Sequence, residues 1–281
     1  MIVCAPVALL GCEKFFTSHD RPAPNSIARS LAPAIPAESL IVEYILLERP
    51  LGDAFLNRDL WTATQPAGAP EMRALLAENG IQAGLLSGTL PSQLQTLIDT
   101  KADVVDAQLF TFPHRKEEVI PTAGPIEDCK FDLLADLSGK PEAVAFSQAR
   151  CGVLVRPQVV GDGRVKVWCE PRIQHGNRVE RYRPSEDGTR FTKFEEVPTE
   201  QYPTLGFEVS LKPTECLVLG SSAEQEESLG AVLFEAEASG QPRQRILVIR
   251  ARQVNVSGTA DLPVITPPGR RPAPVQAPAE R

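Results

Sequence analysis

Three histidines, two paired carboxylates, six cysteines and one run of arginines are the residues whose chemistry has to be weighed first. His114 sits in Phe112-Pro113-His114-Arg115-Lys116 and His175 in Ile173-Gln174-His175-Gly176, while His19 falls in a proline-rich stretch. Either of the first two would serve a nucleophile if a partner stood beside it, but no partner motif accompanies them. Glu195-Glu196 and Glu226-Glu227 would do acid/base work only if burial raised one pKa, and both pairs sit among polar residues, the pattern of solvated loops. Arg172, Arg178, Arg181 and Arg183, with Arg190 and Lys193 beyond them, would meet an anionic lipid or polysaccharide, although Glu170, Glu180 and Glu186 dilute the charge. These four arginines and His175 make the candidate interaction surface.

The chain has no GxSxG, HExxH, P-loop or GxGxxG, since the glycines at 161 and 163 belong to a hairpin turn. No catalytic residue, metal-ligand set or cofactor is expected, and the chain is read as non-enzymatic. Cys129, Cys151, Cys169 and Cys216 contain no CxxC and no metal spacing with histidine. Buried free thiols are the expectation, with disulfides open outside the cytoplasm. With 29 basic and 36 acidic residues the net charge of -7 repels polyphosphate, so nucleic acid is not an expected partner. No later run of about 18 apolar residues predicts a membrane-spanning helix.

The N-terminal stretch Met1 to Gly11 is uncharged and mostly apolar, as in the hydrophobic region of a signal peptide, and ends at Leu9-Leu10-Gly11-Cys12. That tetrapeptide resembles the bacterial lipobox, which implies lipidation of Cys12, cleavage before it, and a membrane anchor. Lys or Arg ordinarily precedes such a stretch, and here only Met1, Ile2 and Val3 are candidates. Either the start codon lies upstream, or residues 1–12 form a buried first strand with Cys4 and Cys12 as core cysteines. Pro22, Pro24, Pro33 and Pro36 among alanines then predict a tether over 13–38. Glu13 replaces the aspartate of an inner-membrane retention signal, so the resemblance implies outer-membrane delivery, facing the periplasm.

Behind the tether, Leu40 to Leu47 reads as a buried strand stopped by Pro50 and Gly52. A short helical piece over Ala54 to Trp61 follows. Pro70 then opens a helix, with Met72, Leu75 and Leu76 on one face and Asn79-Gly80 as its left-handed stop. Ile81 to Leu86 is a second strand, and Leu90, Leu94 and Leu97 recur at helical spacing behind Pro91. From Cys129 the period changes to two. Valines alternate on both sides of Gly161-Asp162-Gly163, and pairing Val160 with Arg164 sets Val159 opposite Val165, Val155 opposite Cys169 and Cys151 opposite Ile173. A two-residue turn would put valines opposite Lys166 and Glu170. In the three-residue register Cys151 lies roughly 13 Å along the strand from the Cys169 pair, too far for a disulfide. A second hairpin is expected from Phe207-Val209-Leu211 through Lys212-Pro213-Thr214-Glu215 to Cys216–Leu219, and a last strand over Ile246 to Ile249.

The stretch Val155 to Val167, ending at Pro171-Arg172-Ile173, resembles the core β-domain of secretins, the ring-forming outer-membrane channels of secretion systems. Val209-Ser210-Leu211, Cys216 to Gly220 and Ser228 to Phe234 look like that domain's later hairpin and Leu-Gly-x-x-Phe segment, so the resemblance covers residues 150–235. Lys212-Pro213-Thr214-Glu215 replaces the usual Asp-Gly turn, Gly220 stands alone for a glycine pair, and the Val-Pro-x-Leu-Gly repeat is missing.

The expected fold class is α+β: a signal peptide and lipobox over 1–12, the tether over 13–38, a small N-terminal α/β layer over 39–126, an antiparallel β-rich region over 127–252, and a disordered Pro-rich tail over 253–281. The expected function is a lipid-anchored envelope protein whose partners are the membrane and either another envelope protein or itself. A secretin-like component of an export assembly and a periplasmic enzyme without a recognisable motif are the alternatives.

Overall fold

Leu40-Ile41-Val42 and Tyr44-Ile45-Leu46-Leu47 leave only Glu43 to interrupt an apolar run, and a strand with no polar face has to be covered on both sides. That run is the middle of β1 (Glu38–Pro50). The computed structural model describes residues 38–113, 117–160, 162–185, 188–238 and 240–255. All of them fall in one unit, Pro36–Arg281. Cys4, Cys12, His19, the tether as far as residue 37, His114 and the tail from residue 256 lie outside the described residues, while Glu38, the last residue assigned to the tether, opens β1.

After β1 come β2 (Gln65–Pro66), β3 (Ile81–Ser87), β4 (Val104–Pro113), β5 (Glu118–Leu133), β6 (Glu142–Val159) and β7 (Val165–Gln174). Then follow β8 (Val179–Pro184), β9 (Phe191–Glu196), β10 (Thr199–Gln201), β11 (Phe207–Leu211), β12 (Glu215–Ser221), β13 (Glu235–Ala238) and β14 (Gln241–Asn255). A π-helical turn, Phe55–Asp59, runs into α1 (Leu60–Thr62); α2 is Pro70–Glu78, α3 Ser92–Thr100 and α4 Leu229–Phe234.

The first sheet has seven strands in the order β2-β3-β12-β14-β1-β4, with β13 paired to β14. Its neighbours are antiparallel. One face sends Leu40, Val42, Tyr44, Leu217, Leu247 and Ile249 into a core shared with the second sheet, α2 and α4. The other sends Leu47, Cys216, Val218 and Ile246 beneath Leu56 and Leu60 of the helical turns and Leu94 and Leu97 of α3. Each fully buried aliphatic side chain here contributes about 1.5–3 kcal/mol of transfer free energy.

The local elements expected between 39 and 126 form where they were expected, but they do not make an α/β layer of their own. β1, β3 and β4 are completed by β12 and β14 from the other end of the chain. The physical reason is that β12 and β14 are also apolar on both faces, so the strands that need two covers collect in one buried sheet. The fold is mostly antiparallel β. The strand expected over Ile246 to Ile249 is longer, and at Asn255 it reaches into the segment assigned to the tail.

The second sheet has five strands, β10-β7-β6-β5 with β11 also on β7. In its central hairpin Val159 faces Val165, Val155 faces Cys169 and Cys151 faces Ile173, the register that alternation selected. The Val160 N–H donates to the Arg164 carbonyl at 3.0 Å, and Gly163 takes φ +80° in the turn. The expected second hairpin does not form. β11 pairs with β7, whereas β12 pairs with β3 and β14, and Lys212–Glu215 is the turn at which the chain crosses between sheets. The two segments differ in pattern: β11 alternates buried and exposed residues, while β12 is buried almost throughout.

Two polar devices fix this arrangement. Asn79, fully buried, donates from Nδ2 to the Leu75 and Leu134 carbonyls and accepts from the Leu134 N–H, tying the end of α2 to the end of β5. Arg245 pairs with Glu48 at 2.7 Å and donates to the Thr122 carbonyl, joining the first sheet to an irregular stretch of β5. There the β5–β6 register shifts twice between Pro121 and Ile126, and Gln148 on β6 has φ +52°.

Candidate functional site

Between β7 and β10 the chain leaves the second sheet to make β8 and β9, which among the described residues pair only with each other. A hairpin needs a turn and two alternating flanks, and residues 178–196 supply them. The Ser185 N–H donates to the Arg190 carbonyl at 2.8 Å, and the Gly188 N–H donates back to the Ser185 carbonyl. On one face lie Val179, Arg181 and Arg183 with Thr192, Phe194 and Glu196; on the other lie Glu180, Tyr182 and Pro184 with Phe191, Lys193 and Glu195.

This two-stranded arm is almost wholly in solvent. Every β8 residue is exposed, and only Phe194 of β9 is partly covered. Tyr182 is 63% and Phe191 74% exposed, among the most exposed large apolar side chains of the described residues. Its base is held from the sheet: the His175 ring stacks on Phe146 at 4.3 Å, its Nε2 lies 3.4 Å from Glu200, and its N–H donates to the Pro198 carbonyl.

The five residues of the candidate surface divide between these places. Arg178, Arg181 and Arg183 lie on the arm. Arg178 pairs with Glu195 at 3.5 Å, Arg181 with Glu196 at 3.8 Å, and the Arg183 guanidinium sits 5.4 Å over the Phe194 ring. His175 is at the base. Arg172 is set apart on β7, its side chain only 14% exposed and bonded at 3.2 Å to the buried Glu170, which also accepts from the Trp168 indole. It holds a buried carboxylate rather than a surface.

Those partners change the chemistry available. Residues 178–196 contain five basic and five acidic side chains, so the arm is formally neutral and presents a polyanion with no net positive charge. What the arm offers is aromatic surface, mixed-sign charge and free strand edges. Charge composition does not mark Tyr182, Phe191 and Phe194; their signal is aromatics at strand spacing inside a charged stretch, on either side of Ser185 to Gly188. Glu195 and Glu196 are exposed on the arm and Glu226 and Glu227 are exposed in a loop, as expected of solvated pairs. Among the described residues no group of three or more His, Cys, Asp and Glu is arranged around a common point for a metal, and no helix is long and apolar enough to cross a membrane.

No family model matches the chain, and no curated protein matches it. Among solved structures, the InvG secretin domain β-barrel from the Salmonella SPI-1 injectisome NC-base is similar at a TM-score of 0.19 and 10% identity. The match covers 80% of this chain and 64% of that one, so this chain spans less than two thirds of that structure's length. A score of that size establishes no shared fold.

Proposed function

We propose that the protein is a non-enzymatic envelope protein, held at the membrane by lipid on Cys12, that assembles there with further copies of itself through the β8–β9 arm. The observation that carries this reading is the arm. An isolated two-stranded hairpin is marginal in water, and this one keeps Tyr182 and Phe191 outside any core formed by the described residues. Burying each against a second copy would gain about 2 kcal/mol of transfer free energy. The outer edges of β8 and β9 offer backbone donors and acceptors for strand addition. Neutrality of the arm matters for the choice of partner: two chains of net charge -7 repel, and a neutral contact surface keeps that repulsion away from the joint.

Light scattering on the full chain across a concentration series tests the contact. Association is expected for the wild type, and a monomer for the Tyr182→Ala/Phe191→Ala double variant with its melting temperature within about 2 °C, as surface substitutions allow. A wild type that stays monomeric, in buffer and on vesicles, overturns self-assembly. Intact mass of protein taken from bacterial membranes tests the anchor: acyl mass on Cys12 is expected, and it must vanish in Cys12→Ala.

A secretin-like component of an export assembly is the second reading. It draws on the sequence resemblance over residues 150–235, the stretch in which the arm is inserted. It expects closed rings in detergent extracts rather than simple dimers, and electron microscopy of negatively stained particles separates the two.

A further inference from the structure

The arm has two outer edges, and among the described residues no third strand pairs with either. The Ser185 N–H donates inward to the Arg190 carbonyl. By the alternation of an antiparallel pair, Arg183 with Thr192, Arg181 with Phe194 and Val179 with Glu196 then exchange their backbone bonds inside the hairpin. The backbone groups of Glu180 and Tyr182 on β8, and of Phe191, Lys193 and Glu195 on β9, therefore point outward. Pro184, which has no N–H to donate, falls in the same outward set. These side chains share one face of the arm, and Arg178 continues their row just ahead of β8.

We infer that copies join head to tail, the β8 edge of one arm adding antiparallel to the β9 edge of the next, with Tyr182 opposite Phe191 of the next copy. The joint rests on the reading of the arm as a self-assembly surface and fixes which strands meet. In this register Glu180 lies opposite Lys193 of the next copy and Arg178 opposite its Glu195, so each outward side chain meets an apolar or opposite-charge partner. On the other face Val179 meets Phe194. The like-charged meeting of Arg183 with Arg190 falls past Phe191, in the turn, where Arg183 lies over Phe194 of its own arm. Slipping by two residues one way sets Glu180 against Glu195 and puts Pro184, without a donor, against Phe191. Slipping the other way sets Arg178 against Lys193. Two β8 edges related by a two-fold axis, centred anywhere from Glu180 to Arg183, set glutamate against glutamate or arginine against arginine. Two β9 edges centred on Phe194 do place Lys193 against Glu195, but that joint leaves Tyr182 in solvent. The head-to-tail joint covers both exposed aromatics. It also uses a different edge of each copy, so every copy added offers a fresh edge, and growth continues as a string or closes as a ring.

Light scattering of the full chain tests the growth. The average mass is expected to pass twice 30.5 kDa as concentration rises. A plateau at the dimer overturns the head-to-tail joint and leaves self-assembly through the arm intact, whereas a wild type that stays monomeric overturns both. Exchange of charge tests the register. Glu180→Lys and Lys193→Glu each set like charge against like between copies, and each alone is expected to associate about tenfold or more weakly than wild type. Mixed in equal amounts they are expected to assemble, because each variant then meets its opposite at both edges. Lys193 also pairs with Glu180 within one arm, at 2.5 Å, but mixing restores only the contact between copies. Single variants that assemble as wild type does, or a mixture that fails to assemble, overturn the register. The double variant Glu180→Lys/Lys193→Glu is expected to assemble alone. In the two-fold joint about Phe194 it would set like charge against Glu195, so loss of assembly there assigns the contact to that joint instead.

Discussion

Glu215 accepts from the Lys212 N–H at 2.9 Å and from Ser87 Oγ, and its carboxylate lies 3.3 Å from the Lys212 ammonium. These contacts, the backbone bond foremost, hold its pKa below the ordinary 4.5. The unfolded chain therefore takes up the proton first on acidification: the stabilisation is complete above the ordinary value and is lost as pH falls through the folded one. Glu235 has the opposite sign, because burial raises its pKa, so the folded chain takes the proton first and gains stability as pH falls through that raised value. Denaturation measured from pH 7 to pH 3 should show a flatter acid loss in Glu215→Gln and a steeper one in Glu235→Gln. About 1 kcal/mol separates each from wild type at the end of the range where its charge matters, a typical worth for a bonded carboxylate. At this scale the sequence exposed chemistry only partly. It marked Arg178, Arg181 and Arg183 as a group, but the carboxylates and the aromatic ring that neutralise or cover them are set by cross-strand register. It could not show that Arg172, a few positions away, turns inward to Glu170, because strand alternation says which residues share a face and not which face is covered.

Hairpin β6–β7 and the segment β11–β12 show where pattern suffices for an element and where it fails. In the first, only one loop length places apolar residues opposite apolar residues, so period, turn and register were all legible. In the second, a turn-like tetrapeptide suggested a hairpin, yet an alternating strand and a doubly buried strand cannot share one half-exposed sheet. The contrast between Phe207–Leu211 and Cys216–Leu219 was present in the sequence as the signal against pairing. Turn glycines also differ from packing glycines. At Gly163 a Cβ meets nothing within 4 Å but the backbone has φ +80°, whereas at Gly230 a Cβ would lie 2.0 Å from the Gly80 carbonyl, where α4 abuts the end of α2. Gly163→Ala is expected to cost about 1 kcal/mol through the left-handed backbone alone. Gly230→Ala should cost about 3 kcal/mol or more, because backbone has to move. Urea denaturation of the two variants side by side checks the order, and equal losses would contradict the close packing of α4 on α2.

Long-range pairing dominates the whole molecule: β1 joins β14 from Glu38↔Asn255 to Pro50↔Arg243. Two-faced strands announce that they are buried, but nothing local says that β1 will find β14 rather than β3, which is why an N-terminal layer looked sufficient in the sequence. Residues 39–126 produced alone would leave one side of β1 and of β3 unpaired. They are expected to show no cooperative thermal transition by circular dichroism, whereas 38–255 shows one; a folded 39–126 fragment would restore the two-layer view. Folding should be slow for the same reason, since the central sheet forms only after its most distant segments meet. The antiparallel pairing also puts Glu38 and Asn255 side by side at one end of the sheet, which decides how the fold answers force. Pulled apart at those two residues, β1 and β14 separate as a zipper, each rung bearing the load alone in turn toward Pro50↔Arg243, and the sheet parts down its middle with β4 still on β1 and β12 still on β14.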